Sequence, residues 1–115
     1  MANSLKIDPG KVRPPFVAGR FYPADPVALR KLITDLLADV PPATGPAPKA
    51  LIAPHAGYLY SGPIAASAYA QLIPARDQIK RIVLFGPSHY VAVDGLATTS
   101  AEAFATPLGI VPVDV

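Results

Sequence analysis

Residues 49–69 read KALIAPHAGYLYSGPIAASAY and residues 81–90 read RIVLFGPSHY, and both follow one order: an apolar run of strand length, a proline, a histidine, a tyrosine. Unbroken apolar runs such as 50–53 and 82–85 suit strands covered on both faces, as in a parallel sheet; a strand with one wet face would alternate. Between them, Ser61 or Gly62 can cap a helix and Pro63 can open it, because the first helical position needs no N–H. Ile64, Ala65, Ala68, Tyr69 and Leu72 then make its apolar face, and Pro74 stops it. Strand, helix and strand in this order predict a right-handed βαβ unit with its two strands parallel and adjacent. Open α/β sheets place their ligand crevice beyond the carboxyl ends of the strands, so the topology predicts that His55 and His89 meet at one rim.

The flanking sequence extends this pattern. Upstream, Asp25 can accept backbone N–H groups as an N-cap and Pro26 fits the first helical position. Leu29, Leu32, Ile33, Leu36, Leu37 and Val40 recur at three- and four-residue spacing, with Arg30, Lys31, Asp35 and Asp39 off the stripe, which predicts an amphipathic helix covering a sheet face. The segment 41–48, PPATGPAP, cannot continue that helix and reads as a connector within the domain. Downstream, LATTS at 96–100 reads as a short strand, TPLG at 106–109 as a turn, and IVPV at 110–113 as a strand interrupted by Pro112. Residues 1–16 read as an extended lead-in and residues 17–115 as part of a single α/β domain, mostly parallel in its sheet with flanking helices.

Composition removes many functions. A chain of 115 residues and 12.0 kDa has room for one domain. With no cysteine there is no disulfide, thiol nucleophile or cysteine zinc site, leaving two histidines and eight carboxylates for metal or acid–base chemistry. The formal charge of +2 comes from scattered Lys and Arg with acids between them, so no nucleic-acid stripe is expected. No apolar run approaches the length of a membrane span and the N-terminus lacks a signal-like apolar region, so a cytoplasmic protein without membrane attachment is the expectation. Neither Ser61 nor Ser88 lies in a G-x-S-x-G elbow, and no G-x-G-x-x-G or Walker lysine follows a strand.

The histidine pair is thus the main chemical feature. Neutral imidazole is a common ligand of zinc, iron and copper, and two such rings on strand ends need further ligands to complete a site. The alternative is that each ring only satisfies loop backbone groups. Tyr58, Tyr60 and Tyr90 could offer phenolic donors near a substrate, or pack over the strand ends with their hydroxyls in water.

The strings VAGRFYPADP, KALIAPHAGYLYSGPIAASAY, RIVLFGPSHYVAVDGLATTS and TPLGIVPVD resemble the Memo family, called AmmeMemoRadiSam system protein B in prokaryotes, and the resemblance covers nearly everything from Arg13 to Val115. It implies a fold similar to class III extradiol dioxygenases, whose non-haem iron sits among two histidines and a carboxylate; in Memo proteins a cysteine takes the third place. His55 and His89 match the two metal-ligating histidines, with mononuclear iron or copper as the implied metal. The third ligand matches nothing in this chain, which looks like an N-terminal half of the family domain. Arg20, Phe21 and Tyr22 match a loop that lies close to the family's pocket, so the pocket candidates are Arg20, Tyr22, Tyr58, Tyr60, Ser88 and Tyr90. Two functions follow from the resemblance: metal-dependent redox chemistry on an unidentified small molecule, inactive in this fragment, or non-catalytic binding of a peptide or protein by the same fold. The prokaryotic name also implies association with radical-SAM and AMMECR-domain proteins. A fragment of this kind is expected to leave its strands partly uncovered and to be poorly stable.

Overall fold

The computed structural model describes residues 6–114. A 3-10 turn at Pro9–Lys11 leads into strand β1 (Val12–Arg13), followed by helix α1 (Pro26–Ala38), helix α2 (Tyr58–Tyr69), a 3-10 segment at Ala70–Ala75, and strands β2 (Ala103–Thr106) and β3 (Gly109–Pro112). The three strands form one mixed sheet in the order β1-β2-β3.

Helix α1 forms as its sequence predicts, although its apolar stripe packs chiefly on helix α2 and not on the expected sheet face. The Asp25 carboxylate accepts the Ala28 N–H at 2.7 Å and Pro26 occupies the first turn, so an orphan donor is satisfied and none is wasted on proline. On the outer face Lys31 pairs with Asp35 one turn on, at 2.6 Å. The apolar stripe turns inward: Leu29 is buried and Leu32, Ile33, Leu36 and Leu37 are half-buried. Helix α2 docks on this stripe through Gly62, where an added Cβ would stand 3.0 Å from Leu36 Cδ1, so the absent side chain is what lets the helices approach. Ala66 and Ala70 continue the buried face.

Helix α2 starts at Tyr58, earlier than Pro63, and Pro63 lies inside it. The reason is tertiary. Tyr58 N–H donates to Phe21 O at 2.8 Å and Ser61 Oγ donates to Ala56 O at 2.9 Å, which anchors the first turn before the proline is reached. Proline then removes one intrahelical donor, a loss met here at an exposed position.

The sheet is built from the two ends of the chain. Within the segment read as a lead-in, β1 pairs parallel to β2 with Val12 opposite Ala103, and β2 pairs antiparallel to β3 with Phe104 opposite Val111. Glu102 reinforces the junction. Its carboxylate takes Lys11 Nζ at 2.8 Å and the Asp8 N–H at 3.2 Å, while its own N–H donates to Lys11 O at 2.9 Å. Arg13 places its guanidinium 5.6 Å from the Phe16 ring centroid and 5.8 Å from that of Phe104. The TPLG turn closes the β2–β3 hairpin: Thr106 Oγ1 accepts the Leu108 N–H at 3.1 Å and donates to Gly109 O at 2.8 Å, with Gly109 at φ 138°.

The expectation of a mostly parallel sheet centred on residues 50–53 and 82–85 requires correction. Among the described residues neither segment, nor the predicted LATTS strand, makes a backbone ladder bond, and the only parallel pairing between strands is the short β1–β2 ladder. A strand needs a neighbour for its N–H and C=O groups, however well its residues suit one. The side chains of 82–85 are all exposed, Leu84 at 82%, and in the first run Ile52 is 100% exposed while Leu51 and Ala53 are half-buried. The core accordingly rests on Leu29, Ala66, Ala70 and Ala103. The solvent-accessible surface is 9792 Å², against about 6,000 Å² for a compact monomer of this mass. The radius of gyration, 15.7 Å, likewise exceeds the roughly 13 Å of a compact domain of this length. No helix among the described residues is long and apolar enough to cross a membrane.

Candidate functional site

The two histidines meet. Nε2 of His55 and Nε2 of His89 lie 3.1 Å apart, with ring centroids 5.3 Å apart and planes inclined at 47°. Both residues are exposed, so the pair faces solvent. In a hydrogen bond between neutral imidazoles one Nε2 carries the proton and the other offers its lone pair. The chain thus brings two potential ligand nitrogens together across 34 positions of sequence.

His55 owes its place to the loop that follows it. Ser61, buried at 8% exposure, reaches back from α2 to hydrogen-bond Ala56 O, so the loop is tied to the helix that it precedes. The Phe21 backbone packs against Gly57, 3.5 Å from where a Cβ would stand, and its carbonyl accepts the Tyr58 N–H at 2.8 Å. The Phe21 loop is itself folded by Gly19, which sits at φ 80° and donates its N–H to Tyr22 O at 2.7 Å. Tyr22 then stacks obliquely on Tyr58, ring centroids 5.5 Å apart. Burial raises the Tyr58 pKa above the ordinary tyrosine value, and the nearby Tyr22 and Tyr69 add to the shift, so its hydroxyl stays protonated throughout the neutral range.

His89 stands on a tighter turn. Ser88 Oγ donates to Val91 O at 2.5 Å and accepts the Val91 N–H at 3.3 Å, so this hydroxyl is spent on its own turn. Tyr90 lies edge-on to His89 at 6.4 Å and is fully exposed.

Of the pocket candidates, Tyr22 and Tyr58 are joined to the His55 loop, while Ser88 and Tyr90 flank His89. Tyr60 is 82% exposed and Arg20 is exposed; among the described residues no side-chain hydrogen bond or ion pair ties either to the histidines. Sequence reasoning missed Ser61 as the tether of the His55 loop and had weighed it as a cap or nucleophile. Its spacing from Ala56, one helical turn past the loop, is the signal that would have found it. No group of three or more His, Cys, Asp or Glu side chains placed to hold a metal occurs among the described residues.

A small mixed sheet, two packed helices and two imidazoles brought into contact from separate apolar segments define an α/β protein with its distinctive chemistry in the loops. The family model described as "Memo-like protein" matches residues 13–115, and the chain belongs to the Memo family. It is 42% identical to a MEMO1 family protein of Aquifex aeolicus over 90% of this chain and 37% of that relative. It is 41% identical to the memo-1 homolog of Caenorhabditis elegans over 84% of this chain and 27% of that protein, and 41% identical to Protein MEMO1 of Danio rerio over 79% and 30%. The chain therefore spans about a third of the length of these relatives.

Proposed function

We propose that His55 and His89 are two arms of a mononuclear metal site, for iron or copper, in a metal-dependent redox protein whose complete domain resembles the class III extradiol dioxygenases. The observation that carries this reading is the 3.1 Å between the two Nε2 atoms. Two metal–nitrogen bonds of about 2.0 to 2.1 Å at octahedral or tetrahedral angles hold their nitrogens roughly 2.9 to 3.4 Å apart. The pair is preset to that span. Imidazole suits iron, copper and zinc alike, so the donor set fits the class of metal without choosing among its members.

In this site the chain's own residues hold and orient. Ser61 and the Phe21 backbone fix the His55 loop, and the Ser88 turn fixes that of His89, so both Nε2 atoms are held in place, and the ring whose Nε2 carries the proton would move it to Nδ1 on ligating. Tyr58 keeps a protonated hydroxyl available as a donor at the start of α2, just past that loop. A bound iron or copper would supply the electron transfer that no side chain here can perform. With two imidazoles as its ligands from this chain, the remaining positions fall to water, and the chain alone is inactive.

Calorimetric titration of iron(II), copper(II) and zinc into the chain tests this proposal. One site per chain, weaker than about 10 μM because two ligands are incomplete, is expected. His55→Ala and His89→Ala should each remove it. Binding that survives either substitution refutes the site.

A further inference from the structure

Tyr22 and Tyr58 are the one pair of tyrosine rings in contact among the described residues, with centroids 5.5 Å apart and planes inclined at 48°. They come from separate elements: Tyr22 from the loop folded by Gly19, Tyr58 from the first turn of α2. Two backbone bonds hold them in register. Gly19 N–H donates to Tyr22 O at 2.7 Å, and Tyr58 N–H donates to Phe21 O at 2.8 Å, so the Tyr58 backbone is bonded directly beside that of Tyr22. Both rings are half-buried, whereas Tyr60, Tyr69 and Tyr90 are exposed.

Composition gives this contact a chemical meaning. The chain has no cysteine and no tryptophan, and its sole methionine is Met1, so the thiol and thioether groups that ordinarily absorb oxidising equivalents are missing from its body. Tyrosine is then the side chain that gives up a single electron most readily. Burial keeps the Tyr58 phenol protonated through the neutral range, so its oxidation releases a proton as well as an electron. A phenoxyl radical carries part of its unpaired spin on the ring carbons ortho to oxygen, and two such radicals in contact join there. The joined rings sit somewhat closer than the observed pair, a closure that small side-chain rotations supply. Half-burial shields the rings from a second chain and still leaves them within reach of water and a small oxidant.

We propose that Tyr22 and Tyr58 are a modification site, at which a peroxide oxidant acting in one-electron steps couples the two phenols into an intrachain cross-link. Each phenol gives one electron to the oxidant and its O–H proton to water. A carbon–carbon bond then forms between the two ortho carbons, the C–H bond on each breaks, and those two protons pass through solvent to the oxygens as both rings regain aromaticity. The pair loses two electrons and two protons in all, and the oxidant takes up both electrons as its O–O bond breaks, hydrogen peroxide giving two waters. The link joins the loop before α1 to the first turn of α2, so it closes a covalent loop around the whole of α1. Such closure removes freedom from the unfolded chain and holds the Tyr58–Phe21 backbone contact shut. The inference uses the tyrosine contact and the composition, and it does not depend on metal binding.

The test illuminates the dilute 115-residue chain with ruthenium tris-bipyridyl and persulfate, a peroxide that takes the two electrons as it becomes two sulfates, in the presence of a chelator. Mass spectrometry should show a monomeric chain lighter by two hydrogen atoms, with fragments joining Tyr22 to Tyr58 and with dityrosine fluorescence. Tyr22→Phe and Tyr58→Phe keep the ring packing and remove the phenol, and each should cut the intrachain yield at least about 10-fold. Tyr60→Phe should leave the yield unchanged, and amide exchange along α1 checks that every variant folds. Unfolding the chain in urea before illumination should also cut the yield at least about 10-fold, since the fold makes the contact. In the linked chain, exchange at Leu29 and Leu36 should slow at least about 10-fold. The proposal is overturned if no intrachain dityrosine forms, if other tyrosines or separate chains are joined in preference, or if Tyr22→Phe leaves the intrachain yield as before. Because metal is excluded, failure here leaves the calorimetric test of the histidine site unaffected.

Discussion

Removing the Ser61 hydroxyl should loosen the His55 loop without dismantling α2. In Ser61→Ala the bond from Oγ to Ala56 O, 2.9 Å long, is lost, and a net contribution of about 0.5 to 1.5 kcal/mol goes with it. The Ala56 carbonyl belongs to an exposed residue and can turn to water, so the larger penalty for a stranded buried acceptor does not apply. Alanine returns roughly 0.5 kcal/mol through its better helix propensity. The balance is a local destabilisation of about 0 to 1 kcal/mol, at most an approximately 5-fold faster opening. Amide exchange followed by NMR reads it directly: residues 56–61 should exchange faster by that factor, while Leu29 to Leu37 of α1 remain as before. Zinc affinity should fall by a similar factor, since His55 spends less time in place. Slower exchange at residues 56–61, or acceleration spread evenly through both helices, would refute the assignment of Ser61 as the loop's tether.

Other consequences follow from the packing and the charges. Leu29→Ala removes the largest buried side chain of α1 and should cost about 2 to 5 kcal/mol, enough to abolish the protection of both helices in amide exchange. Gly62→Val places atoms where a Cβ already comes within 3.0 Å of Leu36, and should cost about 1 to 3 kcal/mol in the same measurement. The Lys11–Glu102 bridge should make the β1–β2 junction sensitive to pH at both extremes. The hydrogen bond from Lys11, with that from the Asp8 N–H, lowers the Glu102 pKa, so its contribution is complete above the ordinary glutamate pKa of about 4.3 and is lost as pH falls through the lowered folded value. The hydrogen bond to Glu102 raises the Lys11 pKa, so that contribution is complete below about 10.4 and is lost as pH rises through the raised value. Exchange of the Ala103 and Phe104 amides across pH should show both losses, and Glu102→Gln should flatten the acid one.

What the sequence discloses depends on whether a feature is satisfied locally. Helix α1 was legible because cap, proline and apolar stripe all lie within residues 25–40. The start of α2 was not, because it is set by Phe21 O and Ala56 O, and neither partner can be read from the helix's own residues. Strand β2 was missed altogether. AFAT is short and alanine-rich, and it becomes a strand through pairing with Val12–Arg13, some 90 positions upstream in sequence. The runs ALIA and IVLF carry the opposite lesson: their composition asks for a buried strand and the described fold provides no partner. The meeting of His55 and His89 was nevertheless legible from the repeated order of apolar run, proline, histidine and tyrosine. Parallel adjacency of the two runs, from which that meeting was argued, is not what the fold contains.

If two imidazoles from distant segments act as one ligand pair, NMR of the ring nitrogens during zinc titration reads it out. The Nε2 signals of His55 and His89 should shift together along one binding curve, and replacing either histidine with alanine should remove the response of the other. Independent curves for the two rings, or a response at one ring that persists when the other is gone, would mean that the two imidazoles do not share a metal.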